Sequence, residues 1–336
     1  MWQFFSFSLP LLAFAAMTLL GIAPVLRWKL GRDLPVPKGG YGSGFLNGKL
    51  ILAGGTHWKD GEKLWMDETI AYDPRADRWE SLPPLPKPLA YAASASDGIA
   101  FYFLGGAGPD TSERKSYPLK LENGRYLWEP FTELPMDRCY ARAVILNGQL
   151  LVIGGTTNLA DLSTASTSVL ALSLSDARAT WKTLNPMPGE GRAVFAAAVC
   201  AGKLFVFGGC TADTKGNVRN LSSACQYDPS LNRWSQLKDV PVPTRGWAAS
   251  AADDRYIYLF GGYSVSESRD SSPVQEGQFE NRVYRYDTVQ GDYEEATPMP
   301  HASSDISFHY FDGAFYGGGG EPKMKARSPW IFIGKP

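Results

Sequence analysis

The chain predicts an all-β fold, a six-bladed β-propeller closed by pairing of its N- and C-terminal strands, and three observations carry that expectation. A Gly-Gly pair ends an apolar run six times, starting at Gly54, Gly105, Gly154, Gly208, Gly261 and Gly319, at intervals of 49 to 58 residues. A period of about 50 residues is that of one four-stranded propeller blade, which buries its apolar faces only against neighbouring copies. An aromatic residue recurs late in the repeat, at Trp79, Trp128, Trp181, Trp234 and Tyr293. Finally, the 336 residues are 44% hydrophobic and 13% aromatic and include 35 Gly and 24 Pro, the profile of a turn-rich, well-buried β protein.

Taken in order, residues 1–26 carry no charged side chain and are mostly apolar, so they read as an export signal or a membrane anchor outside the fold. Export to the periplasm or the extracellular space is the expectation. Arg27, Lys29 and Arg32 follow the apolar run and would suit a retained anchor, which stays as the alternative and as the one route to a membrane. The propeller then occupies 27–336. Its innermost strands are rich in small residues, as at Ala92–Ser96, Ala196–Val199 and Ala248–Ala252, because six strands converging on one axis leave little room. Asn-Gly or Asp-Gly turns lead to the apolar second strands, and third strands such as Thr69–Asp73 and Val283–Asp287 follow the variable loops. The sixth repeat stops at Pro336 without an aromatic fourth strand, and Trp28–Leu34 has the look of the missing one. A ring closed in this way has no open edge, and a monomer is expected.

Composition also excludes partners. A net charge of -1 with no Lys/Arg run leaves no electrostatic footprint for nucleic acid. The four cysteines form no C-x-x-C pair, and the three histidines are scattered, so neither a metal site nor any cofactor is implied. Cys210 and Cys225 flank one loop of the fourth repeat. In an exported protein they could bond if their Cα atoms lay within about 4.4–6.8 Å, the alternative being two buried thiols.

Loops after the Gly pairs and loops leading into the innermost strands open on one face, so function is expected there. The first kind supplies His57 and Trp58, with Glu321 and Arg327 in the last repeat; the second supplies Tyr41, Tyr91, Arg138 with Tyr140, Arg192, Arg245 with Trp247, and His301 with Asp305. Arginines and aromatics around one mouth suit an acidic sugar, with Arg138, Arg192, Arg245, Tyr91, His57 and Trp58 as expected substrate-binding residues.

The repeat period resembles that of kelch motifs, and the tail Gly320-Glu321-Pro-Lys-Met-Lys-Ala-Arg327 is similar to the Gly-Glu-x(5)-Arg loop of the bacterial sialic acid mutarotases, the N-acetylneuraminate epimerases. The stretches Ala53–Trp65 and Pro88–Tyr91 resemble cyclically permuted members of that group. This resemblance implies a six-bladed kelch-type propeller that interconverts the anomers of sialic acid, with Glu321 and Arg327 as its catalytic pair. Opening and reclosing the hemiketal needs a base for the anomeric hydroxyl and an acid for the ring oxygen, and Glu321 could serve. Arg327 stays protonated, which suits binding and electrostatics, and it would hold the Glu321 carboxylate ionised. A kelch propeller that binds acidic carbohydrate or protein without catalysis would use the same mouth without needing Glu321.

Overall fold

The computed structural model describes residues 23–265 and 277–336. Most of the leading apolar segment lies outside the described residues, but its end does not. Pro24 accepts a hydrogen bond from the Thr297 amide, and Leu26 is buried among Met299, Phe308 and Phe332. The fold thus begins a few residues before the boundary expected at residue 27, because an apolar side chain next to an open interface packs into it.

Among the described residues, 24 strands form six four-stranded antiparallel sheets. Five are continuous in sequence. The first, for example, runs Gly42–Leu46, Lys49–Ala53, Thr69–Asp73, Arg78–Leu82 from its inner to its outer edge. The sixth has Ser307–Phe311 innermost, then Ala314–Gly318 and Ile331–Lys335, and its outer strand is Arg27–Leu30 from the other end of the chain. There Trp28 faces Gly334 in register, and a Cβ on Gly334 would lie 2.7 Å from the indole. Glycine is what lets that ring lie flat on the strand.

Asn47-Gly48 and Asn147-Gly148 turn the chain from innermost to second strands with both residues at positive φ, the type I′ geometry that matches strand twist. The apolar faces of neighbouring sheets enclose six separate cores. One of them joins Tyr41, Leu50 and Ile70 of the first sheet to Tyr316, Ile331 and Ile333 of the sixth.

Two sets of hydrogen bonds repeat at these interfaces and explain the repeating residues. The second glycine of each pair donates its amide to a carbonyl of the following sheet: Gly55 to Leu89, Gly106 to Arg138, Gly155 to Arg192, Gly209 to Thr244, Gly262 to Ser303, and Gly320 to Lys38, all at 2.7–2.9 Å. Both glycines stand at positive φ in every copy, and a Cβ on Gly55 would sit 2.9 Å from the Gly39 carbonyl, so the latch admits no side chain. Farther out, each fourth-strand aromatic donates to a backbone carbonyl just beyond the fourth strand of the preceding sheet. Trp79 reaches Arg32, Trp128 reaches Pro83, Trp234 reaches Asn185, and Trp28 reaches Thr297 at 3.2 Å. Trp28 therefore does for the sixth sheet what the other indoles do for theirs.

Candidate active site

The mouth is built from two positions of the repeat. Two residues past each latch carbonyl the chain enters the left-handed region, at Gly40, Tyr91, Tyr140, Val194, Gly246 and Asp305. The amides there donate to the carbonyl of the previous member, Tyr91 to Gly40, Tyr140 to Tyr91, Val194 to Tyr140, Gly246 to Val194 and Asp305 to Gly246. Five backbone bonds thus link the six positions into a collar at the mouth. The side chain directly after each Gly pair stands beside this collar, and the six are Thr56, Ala107, Thr156, Cys210, Tyr263 and Glu321.

A cavity of about 310 Å³ opens on the side of the third to sixth sheets, with Tyr140, Arg245, Tyr263, Asp305 and Glu321 among its polar and aromatic lining residues. Glu321 is held in place by its backbone, which exchanges two hydrogen bonds with Ser304 at 2.7 and 2.9 Å. Its Oε1 accepts from the Lys325 amide at 2.9 Å and lies 3.2 Å from Nη1 of Arg327. Burial pushes the Glu321 carboxyl above the usual range; Arg327 pulls it down, and the Asp305 charge pushes it up again. The net direction is upward, opposite to the expectation that Arg327 would hold it ionised, because desolvation outweighs the ion pair.

Arg327 itself is not in the cavity lining. Its side chain is 3% exposed, donates to Thr56 Oγ1 and to the Ala326 carbonyl at 3.0 Å, and packs against Gly39, where a Cβ would lie 2.9 Å from it. It fills the seam between the sixth and first sheets and touches the site through Glu321.

Two of the expected substrate-binding arginines are elsewhere. Arg138 and Arg192 occupy the latch positions and are each 1% exposed, aimed between sheets and away from the mouth. Arg138 donates to the Gly154 carbonyl, and Arg192 donates to the carbonyls of Gly208 and Ser223 and to Ser223 Oγ at 2.9–3.1 Å. Burial lowers both guanidinium pKa values, which is consistent with a structural role in the interface. Arg192→Ala is accordingly expected to destabilise the protein by about 2–3 kcal/mol in urea unfolding, from acceptors left unpaired.

Arg245 does line the cavity, stacked 4.6 Å over Tyr263 and fixed at 2.9 Å on Asn220 Oδ1. Tyr91 stands in the collar on the opposite side, against Tyr140 at 4.8 Å and under the Lys63 ammonium at 4.7 Å. His57 Nδ1 donates to the Pro37 carbonyl at 2.7 Å, and Lys325 lies 5.9 Å from the ring of Trp58, so both lie in the hairpin that meets the Glu321 loop. Cys210 and Cys225 are free buried thiols in different cores, Cys210 beside Val194 and Cys225 beside Phe195, and no bond joins them. Tyr263 and Asn220 were not singled out from sequence. Tyr263 could have been, since it follows its Gly pair as Glu321 follows its own.

Comparison with known proteins adds family information to this geometry. A family model for N-acetylneuraminate epimerase matches residues 158–267, and kelch motifs match 37–86 and 248–300. The N-acetylneuraminate epimerase of Haemophilus influenzae is 32% identical over 117 residues, 33% of this chain and 30% of that protein. Beta-scruin of Limulus polyphemus is 26% identical over 178 residues, 52% of this chain and 18% of that protein. The chain thus matches less than a third of the length of these curated relatives. The solved structure of YjhT superposes with a TM-score of 0.73 at 14% identity, covering 89% of this chain and 95% of that one, which shows a shared fold. The chain is a kelch-repeat β-propeller that resembles the N-acetylneuraminate epimerase family in sequence motifs.

Proposed function

We propose that the six sheets are the blades of one closed ring and that its mouth interconverts the α and β anomers of sialic acid. The observation that carries this reading is Glu321, a carboxyl raised by burial, in a cavity it shares with Asp305, Arg245 and Tyr263. Mutarotation needs little more. A base takes the proton of the anomeric hydroxyl, the bond between anomeric carbon and ring oxygen breaks, and an acid protonates that oxygen. Rotation about the bond joining the ketone carbon to the chain, followed by the same steps in reverse, closes the other anomer. Two carboxyls on one cavity, Glu321 and Asp305, are placed for the two proton transfers. Arg327 orients Glu321 from behind.

One-dimensional NMR of freshly released α-sialic acid tests this, with faster anomer exchange expected in the presence of the protein. An unchanged exchange rate would leave the second reading, a non-catalytic propeller binding acidic carbohydrate or protein.

The raised carboxyl also makes a stability prediction. A carboxyl whose folded pKa lies above its unfolded value of 4.5 stabilises the fold fully below pH 4.5, and that contribution is lost as pH rises through the folded pKa. The melting temperature of Glu321→Gln should therefore gain on that of the native protein between pH 4 and pH 8. A difference that shrinks over that range would contradict an upward shift of this carboxyl.

A further inference from the structure

Below the collar the axis narrows to a throat of about 30 Å³, bounded by Gly40, Tyr91, Tyr140, Val194 and Asp305 above and by Tyr41, Arg142 and Ser307 below. Arg142 begins the innermost strand of the third sheet, two residues past Tyr140. Its Nε donates to the Phe195 carbonyl at 2.7 Å, which fixes the plane of the guanidinium. Its two terminal nitrogens have no hydrogen-bond partner among the described residues, and Arg142 lines both the throat and the small chamber of about 90 Å³ beneath it. With Nε occupied, the edge left open is the one that carries both terminal nitrogens, the paired-donor geometry that matches a carboxylate. A space of about 30 Å³ holds a small group such as a carboxylate and is too small for a sugar ring. The upper cavity is about ten times larger and holds Glu321.

We infer that Arg142 is the receptor for the carboxylate of an acidic sugar: the ring occupies the upper cavity and its carboxylate passes the collar to meet the guanidinium. The inference rests on the reading of the mouth as an acidic-sugar site and adds its specificity determinant. Asp305, which borders both spaces, would repel an anion that lacked this partner, so binding without Arg142 is disfavoured twice.

The test has two arms on the full chain. In the first, pyruvate, the smallest acid with the same keto-carboxylate end, is titrated while melting temperature is followed. The native protein is expected to be stabilised, Arg142→Gln not, and Arg142→Lys in part; equal responses in the native protein and Arg142→Gln, or none in either, overturn the inference. In the second, calorimetry compares N-acetylneuraminate with its neutral carboxamide. Arg142→Gln should lose roughly ten- to a hundredfold in affinity for the acid, the worth of a charge-assisted pair, and little for the amide. Retained preference for the acid, or equal loss for both, counts against Arg142. A pyruvate response without sugar binding would sink the sialic acid reading and leave the carboxylate site standing.

Discussion

Glu321→Gln is expected to lower the protein-dependent rate of anomer exchange by roughly 10²–10⁴-fold, the usual contribution of one positioned acid or base. Gln keeps the shape of the side chain and can still accept from the Lys325 amide, but it can no longer release a proton, so affinity for the sugar should change little. Arg327→Lys should act differently. Its guanidinium spans Glu321, Thr56 Oγ1 and the Ala326 carbonyl, and an ammonium cannot reach all three. Exchange should fall at unchanged affinity, and the pH profile should move with the Glu321 carboxyl. NMR exchange rates across pH check both variants. Native rates in Glu321→Gln would remove the carboxyl from the chemistry, whatever the sugar.

Deleting residues 27–34 is expected to cost the six sheets their cooperativity. The deletion exposes the edges of Ile331–Lys335 and of the core around Leu34, and it removes Trp28, whose ring meets Phe260, Phe308 and Phe332 at 5.9–6.4 Å. Loss of this half-buried indole, at most about 3–5 kcal/mol, adds to the exposed strand edge, so the melting temperature should fall by roughly 10 °C or more. Calorimetry decides: a deletion variant that melts as a single transition at the native temperature would mean that the sheets do not depend on that strand.

The repeat was legible because a few residue types carry its geometry. Gly pairs at positive φ, Asn-Gly turns and an aromatic near each sheet's outer edge are backbone and hydrogen-bond requirements that other residues meet poorly. The site was legible only in part. Glu321 and Arg245 reach the cavity, whereas Arg138 and Arg192 do not, although the three arginines lie in loops of the same kind. The reason is a shift of one residue: Arg138 and Arg192 are themselves the latch residues and are buried, whereas Arg245 follows the latch residue Thr244 and lines the cavity. Hydrophobic periodicity cannot register that difference, since a long arginine is compatible with either place. Lining residues from unequal loops, such as Leu159 and Leu162, carry no repeat signal at all.

The outer strand of the sixth sheet also constrains how the molecule is made. Arg27–Leu30 is synthesised before all five continuous sheets, and its partner Ile331–Lys335 after them. While those five sheets are made this strand has no partner, and the sixth cannot be completed. Contacts of such sequence separation slow folding and prolong the exposure of unpaired strands. The three cationic side chains Arg27, Lys29 and Arg32, around a single indole, are well suited to that wait, since charge on a free edge discourages pairing with the wrong chain.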